Sequence, residues 1–216
     1  MKLSRWLRYF FLVAPNFILK RVLPKISHFR FFNETANTQT PITFDIWYHQ
    51  FVEGKNTAAY WPIHPTSTVS NPKNIYCGIE TCPGYSPGNY IQAIGKIYIG
   101  DYTQIAPNVG IISANHDLYD NSKHIIKDVY IGKYCWLGMG CIILPGVVLG
   151  DYTIVAAGAV VTKSFEEGYC IIGGNPAKKI KTLEKERCIF HRSSFEYNGY
   201  IPHIQFDAYR KKYLEV

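Results

Sequence analysis

Six-residue self-similarity runs through residues 131 to 166, and few folds accommodate it. The blocks open on Ile131, Leu137, Ile143, Leu149, Val155 and Val161; four places on in the first five stand Cys135, Cys141, Val147, Thr153 and Ala159. Gly132, Gly138, Gly150 and Ala156 follow the aliphatic in four of the six blocks. A period of six matches neither a 3.6-residue helix nor a half-buried strand of period two. It suits a short strand and a tight corner, repeated, with one large side chain turned inward each time. Fixed self-similarity of this kind marks a solenoid, and six is a β-helix period.

The same register extends upstream through Ile63, Val69 and Ile75, weakens over Thr81, Pro87 and Ala93, and returns at Ile99, Ile105 and Ile111. Nine hexads from 63 to 116 predict three turns of an 18-residue, three-sided coil. Then the register slips. The excess is Asp117 to His124, DLYDNSKH, a polar excursion just after His116. Loops carried on a rigid scaffold are where binding and catalytic groups concentrate.

This pattern resembles the hexapeptide-repeat acyltransferases, and among them the galactoside and the capsule and lipopolysaccharide sugar O-acetyltransferases; the resemblance covers roughly residues 62 to 181. It implies an all-β fold, a left-handed parallel β-helix of three sides; both ends lie outside it, and there ITFDIWYHQFVEG reads as a helical or irregular N-terminal cap and AKKIKTLEKER as a C-terminal helix. The resemblance also implies a homotrimer with sites at the subunit seams and acetyl-coenzyme A as co-substrate, no metal being expected. The period itself carries no information on the hand. The expected domains are 1–61, a basic and aromatic extension and cap; 62–176, the solenoid with its projecting loop 117–124; and 177–216, a helix beginning at Ala177 and a tail.

Acyl transfer from a thioester to a hydroxyl needs one base able to take the hydroxyl proton, and histidine titrates in the range that suits this. His116, at the foot of the excursion, takes the place of the catalytic histidine in the similar enzymes. Asn115 is expected to position the acceptor or steady the base, or to be a corner residue. Asp117, Tyr119 and His124 are candidates to line the acceptor site. Trp136 matches the family's W-[IL]-G signature near both donor and acceptor. Backbone N–H groups of Gly138, Met139 and Gly140 are candidates to meet the developing oxyanion. Several relatives carry serine at the position of Met139, so here a main-chain contact alone is expected. Gly138 is also expected beside the donor, and Ala156, Ala157 and Gly158 give a flat wall for a pantetheine arm; Thr162, Lys163, Lys178 and Lys181 match family positions at the adenine and phosphate end, though the lysines equally suit a solvated surface.

Charge separates the two ends of the chain. The formal net charge of +7 equals the seven basic residues that precede the first acid, Glu34 (Lys2, Arg5, Arg8, Lys20, Arg21, Lys25 and Arg30), so the remainder is formally neutral. Nucleic-acid binding by the solenoid has no basis in net charge. The uncharged run from Tyr9 to Leu19 is too short to span a bilayer, which takes ~20 residues. Leu3, Trp6, Leu7, Phe10 and Ala14 recur at helical spacing. Residues 1 to 31 therefore read either as a peripheral anchor on an anionic membrane or as a segment docked on the protein, and both readings stand. Six cysteines without a signal peptide point to a reducing cytoplasm; Cys135 and Cys141 are expected to stack at a coil corner as small core residues. The competing functions are acetylation of an amino-sugar amine, a γ-carbonic-anhydrase-like zinc site drawing on His64, His116 and His124, and a non-catalytic binding solenoid.

Overall fold

The computed structural model describes Trp6, Leu19 and residues 21–216. From Thr68 to Gly173 the chain visits three parallel sheets in rotation. The first face stacks Thr68–Ser70, Tyr90–Gln92, Gly110–Ile112, Ile142–Ile143 and Val160–Val161. Ile75–Cys77, Ile97–Ile99, Val129–Ile131 and Val148–Leu149 make the second, and Gln104–Ile105, Trp136–Leu137, Thr153–Val155 and Cys170–Gly173 the third. The block-opening aliphatics point inward and lie over one another between coils: Ile111, Ile143 and Val161 on the first face, and Ile105, Leu137 and Val155 on the third. They form one buried core, each side chain contributing ~1.5–3 kcal/mol on burial.

Coil length is not uniform. Ile143 pairs with Val161, eighteen residues on, but Val69 pairs with Ile91 and Ile75 with Ile97, twenty-two residues on. The hexad register through Thr81, Pro87 and Ala93 is therefore corrected. Thr81 is a corner residue, its hydroxyl donating to the Gly100 carbonyl at 2.9 Å and accepting from the Thr103 N–H at 3.0 Å. The surplus residues enter turns such as the 3₁₀ segment Pro72–Asn74.

Coil stacking also corrects the expectation for the cysteines. Cys135 does not lie on Cys141; its N–H donates to the Thr103 hydroxyl of the coil below at 3.0 Å. Cys141, at the next corner, sits between residues 109 and 159 by the same register. Burial pushes both thiols up to about 12, which leaves them as neutral core groups.

The excursion is larger than the eight residues expected. Ile97 pairs with Val129, thirty-two residues on, and the surplus forms a β-hairpin at the corner between the first and second faces. Ala114–His116 pairs antiparallel with His124–Ile126, setting Ala114 against Ile126, Asn115 against Ile125 and His116 against His124.

At the start of the rod, Leu19, Leu23, Phe29, Phe31 and Phe32 are buried with Trp47, Phe51 and Val52 in a second, aromatic core. Helix α1 (Phe44–Phe51) begins at Thr43, whose hydroxyl accepts from the Ile46 N–H. Most of the helical stripe expected over residues 3 to 14 lies outside the described residues. Among the described residues, no helix is long and apolar enough to cross a membrane.

The helix expected from Ala177 is instead a strand. Lys178–Thr182 pairs antiparallel with Cys170–Gly173 and covers the edge that the last coil would leave open. The chain then returns along a ladder of corner tyrosines. Tyr102, Tyr134, Tyr152 and Tyr169 stack at 5.2, 5.2 and 5.6 Å, and the Tyr134 hydroxyl donates to the His191 carbonyl at 2.9 Å. Helix α2 (His203–Tyr213) ends the chain, its Phe206 ring 5.4 Å from Tyr60 and 5.7 Å from Tyr76. It caps the beginning of the rod rather than its end.

Candidate active site

The hairpin places His116 on an exposed strand end, away from the core. Its foot is pinned by Ser113, fully buried, whose hydroxyl accepts from the Gly95 N–H at 2.9 Å and donates to the Gln92 carbonyl at 2.8 Å. The tip is tied by Asp117, whose Oδ1 accepts from the N–H groups of Tyr119 and Asp120 at 2.9 and 3.0 Å. Asp120 in turn pairs with Lys123 at 2.9 Å. These bonds fold the tip back so that the Asn121 carbonyl lies 2.6 Å from His116 Nδ1.

That contact sets the chemistry of the imidazole. A carbonyl oxygen can only accept, so Nδ1 carries the ring proton and Nε2 presents a lone pair. His116 is thus arranged as a proton acceptor at Nε2. Among the described residues no carboxylate is bonded to its ring; Asp117, the nearest in sequence, spends Oδ1 on the tip backbone. Tyr119 and its neighbour Leu118 stand 98% and 90% exposed at the tip, and the His124 ring lies 4.6 Å from that of His116.

Trp136 projects from the third face, 55% exposed, and Met139 is 57% exposed at the corner between the third and first faces. That corner is a turn, closed by the Cys141 N–H donating to the Gly138 carbonyl at 3.2 Å, with Gly140 at φ +68° as its third residue. Two of the three N–H groups expected to face an oxyanion are already used: Gly138 donates to Val155 at 2.8 Å and Gly140 to Pro107 at 3.0 Å. Met139 is left as the donor whose N–H makes no hydrogen bond among the described residues. Gly138 has a packing reason of its own, since a Cβ there would sit 2.6 Å from the Val155 carbonyl oxygen. Ala156 and Ala157 occupy the same turn one coil on, where the Gly158 N–H donates to the Met139 carbonyl at 2.8 Å.

Thr162 and Lys163 lie exposed at the corner that carries the hairpin, further along the rod, with Lys163 Nζ 5.7 Å from the Phe165 ring centroid. Lys178 and Lys181 are exposed on the closing antiparallel strand. Within one chain, then, the candidates fall into separate places. Asn115, His116, Asp117, Tyr119 and His124 share the hairpin, while Trp136, Met139, Ala156 and Ala157 belong to the third face and its far corner. Among the described residues no group of three or more histidine, cysteine or acidic side chains could hold a metal ion. The residues that sequence reasoning missed are Asn121 and Ser113. Asn121 acts through its carbonyl, which every residue possesses, so nothing in the letter marks it.

Comparison with known proteins follows the same outline. The family described as bacterial transferase hexapeptide (six repeats) matches residues 128–163. A probable macrolide acetyltransferase of Lysinibacillus sphaericus is 50% identical over 135 residues, covering 52% of this chain and 70% of that protein. Galactoside O-acetyltransferase of Lactococcus lactis is 29% identical over 147 residues, covering 66% of this chain and 69% of its own. The crystal structure of a maltose O-acetyltransferase from Clostridium difficile superposes with a TM-score of 0.54 at 26% identity, over 80% of this chain and 90% of that one. The chain spans 60% to 70% of the length of these and similar curated relatives. With a stacked six-residue repeat that the family model matches, and a relative 50% identical over 70% of its length, the chain is a member of the hexapeptide-repeat transferase family.

Proposed function

We propose that the chain transfers an acetyl group from acetyl-coenzyme A to a hydroxyl of a sugar, on a left-handed β-helix, with His116 as general base. The observation that carries this reading is the 2.6 Å contact of Nδ1 with the Asn121 carbonyl, which leaves Nε2 as the acceptor on an exposed strand end. Nε2 takes the hydroxyl proton as the hydroxyl oxygen attacks the thioester carbon directly. The tetrahedral oxyanion is met by the Met139 N–H; one such preorganised donor is worth ~3–4 kcal/mol. Collapse breaks the carbon–sulfur bond, and the departing thiolate recovers the proton from His116. The products are the acetyl ester and coenzyme A.

The separation of the hairpin from Trp136 and Met139 within one chain supports a homotrimer. There the hairpin of one subunit meets the third face of the next, covering the exposed Leu118, Tyr119 and Trp136. In such a seam Ala156 and Ala157 line the pantetheine arm, and Thr162, Lys163, Lys178 and Lys181 meet the nucleotide end. Asn115, Asp117, Tyr119 and Trp136 border the acceptor. The acceptor is read as a unit or precursor of a cell-envelope polysaccharide, which a peripheral position at an anionic membrane through residues 1–31 would bring within reach. The 50% identity to a probable macrolide acetyltransferase favours a second reading, a drug hydroxyl as acceptor. Labelled acetyl-coenzyme A incubated with galactosides, lipid-linked sugars, an amino-sugar and a macrolide separates these. Transfer to none of them, with no hydrolysis of the donor, overturns the proposal.

A further inference from the structure

We propose that His124 is a positioning residue, a wall against which the His116 imidazole is held so that Nε2 points at the acceptor. This rests on the reading of His116 as the base and adds a second side chain to it. A two-stranded hairpin standing alone is marginal in water, and this one has three residue pairs with Ile125 and Ile126 exposed. A base borne on it needs more than backbone pairing to stay in place, because about 1 Å of misplacement can cost ~10²-fold in rate.

The bond from Nδ1 to the Asn121 carbonyl fixes one atom of the ring. Rotation about that contact would still sweep Nε2 through an arc. What stands in the way of that sweep is the His124 ring, whose centroid is 4.6 Å away at an interplanar angle of 39°. The two histidines are a directly opposed cross-strand pair, so the contact is set by register and needs no long side chain to find it. Other polar side chains of the tip are committed elsewhere: Asp117 to the backbone of Tyr119 and Asp120, and Asp120 to Ser122 and Lys123. In place of the carboxylate that steadies the base in a Ser-His-Asp site, this hairpin uses one carbonyl and one aromatic face.

The test compares His124→Ala with His124→Phe, which keeps a planar ring without its nitrogens. Alanine should lower kcat by roughly ten- to a hundredfold, with KM for acetyl-coenzyme A and for the acceptor within about twofold. Phenylalanine should restore kcat to within about fivefold of wild type. Thermal unfolding of each variant checks that the rod is intact. Independently of activity, the Nδ1–H signal of His116 in ¹⁵N-edited spectra should persist in wild type and His124→Phe and broaden in His124→Ala. Wild-type kcat and an unchanged His116 signal in His124→Ala overturn the positioning role. So does a loss in His124→Phe equal to that in His124→Ala, or a raised acceptor KM at unchanged kcat, either of which makes His124 a substrate contact. If His116→Asn leaves turnover intact, the base assignment fails instead, and the spectra still decide whether His124 holds the ring.

Discussion

Replacing Gly138 by alanine separates coil packing from donor binding. An added Cβ would lie 2.6 Å from the Val155 carbonyl oxygen, 2.7 Å from the Ala157 nitrogen and 3.0 Å from the Ala156 carbonyl carbon. Ordinary contact begins near 3.4 Å, so two coils must part by about 0.8 Å on the shortest of these contacts. All three obstacles are backbone, which cannot rotate aside. Parting the coils also stretches the 2.8 Å bond from the Gly138 N–H to Val155 past useful length. Overpacking costs ~1–3 kcal/mol and the lost bond ~0.5–1.5 kcal/mol, giving ~2–4 kcal/mol together. For a chain of this size that lowers Tm by ~2–4 °C per kcal/mol, hence about 5–15 °C by calorimetry. Gly140→Ala is the control. Its Cβ would meet nothing within 4 Å, and the cost is the φ of +68° alone, ~1–2 kcal/mol. If Gly138→Ala melts with wild type and instead raises KM for acetyl-coenzyme A, the glycine serves the donor and the packing argument is wrong.

Ser113→Ala should cost ~1–3 kcal/mol, because the buried Gly95 N–H loses its acceptor; a melting curve matching wild type refutes the pin at the hairpin foot. Ile143→Ala, stacked between Ile111 and Val161 on the first face and fully buried, should cost ~2–5 kcal/mol in a denaturant titration. Thiol titration of the native protein should find Cys188 alone reactive, since the other five cysteines are buried and burial pushes the thiols of Cys82, Cys135 and Cys141 up to about 12. All six should react on unfolding; fast modification of a second thiol in the native state contradicts the core assignment.

The rod was legible because an inward aliphatic every sixth residue is a pattern no competing element produces, and Ile131 to Val161 keeps it without interruption. Upstream it blurred for a physical reason: twenty-two-residue coils satisfy the same stacking once a corner absorbs the surplus, so Thr81 falls in the hexad register yet serves as a corner. The strand at Lys178–Thr182 reads as a helix in the sequence because its lysines suit either element. What decided it was the open edge of Cys170–Gly173, a tertiary demand that local residues do not express. The return of the chain along the tyrosine ladder is silent too, since tyrosines seventeen to thirty-two residues apart become neighbours only after the coil has formed. At the site, His116 could be singled out from its place before the excursion. The pairing with His124 followed from hairpin register, and the orienting contact from a main-chain carbonyl.

The most direct test of the account is acetyl transfer by His116→Asn, measured with labelled acetyl-coenzyme A on whichever acceptor the wild type accepts. The account predicts a fall in kcat of ~10²–10⁴-fold, with melting temperature and oligomer size unchanged. Turnover at the wild-type rate would contradict it.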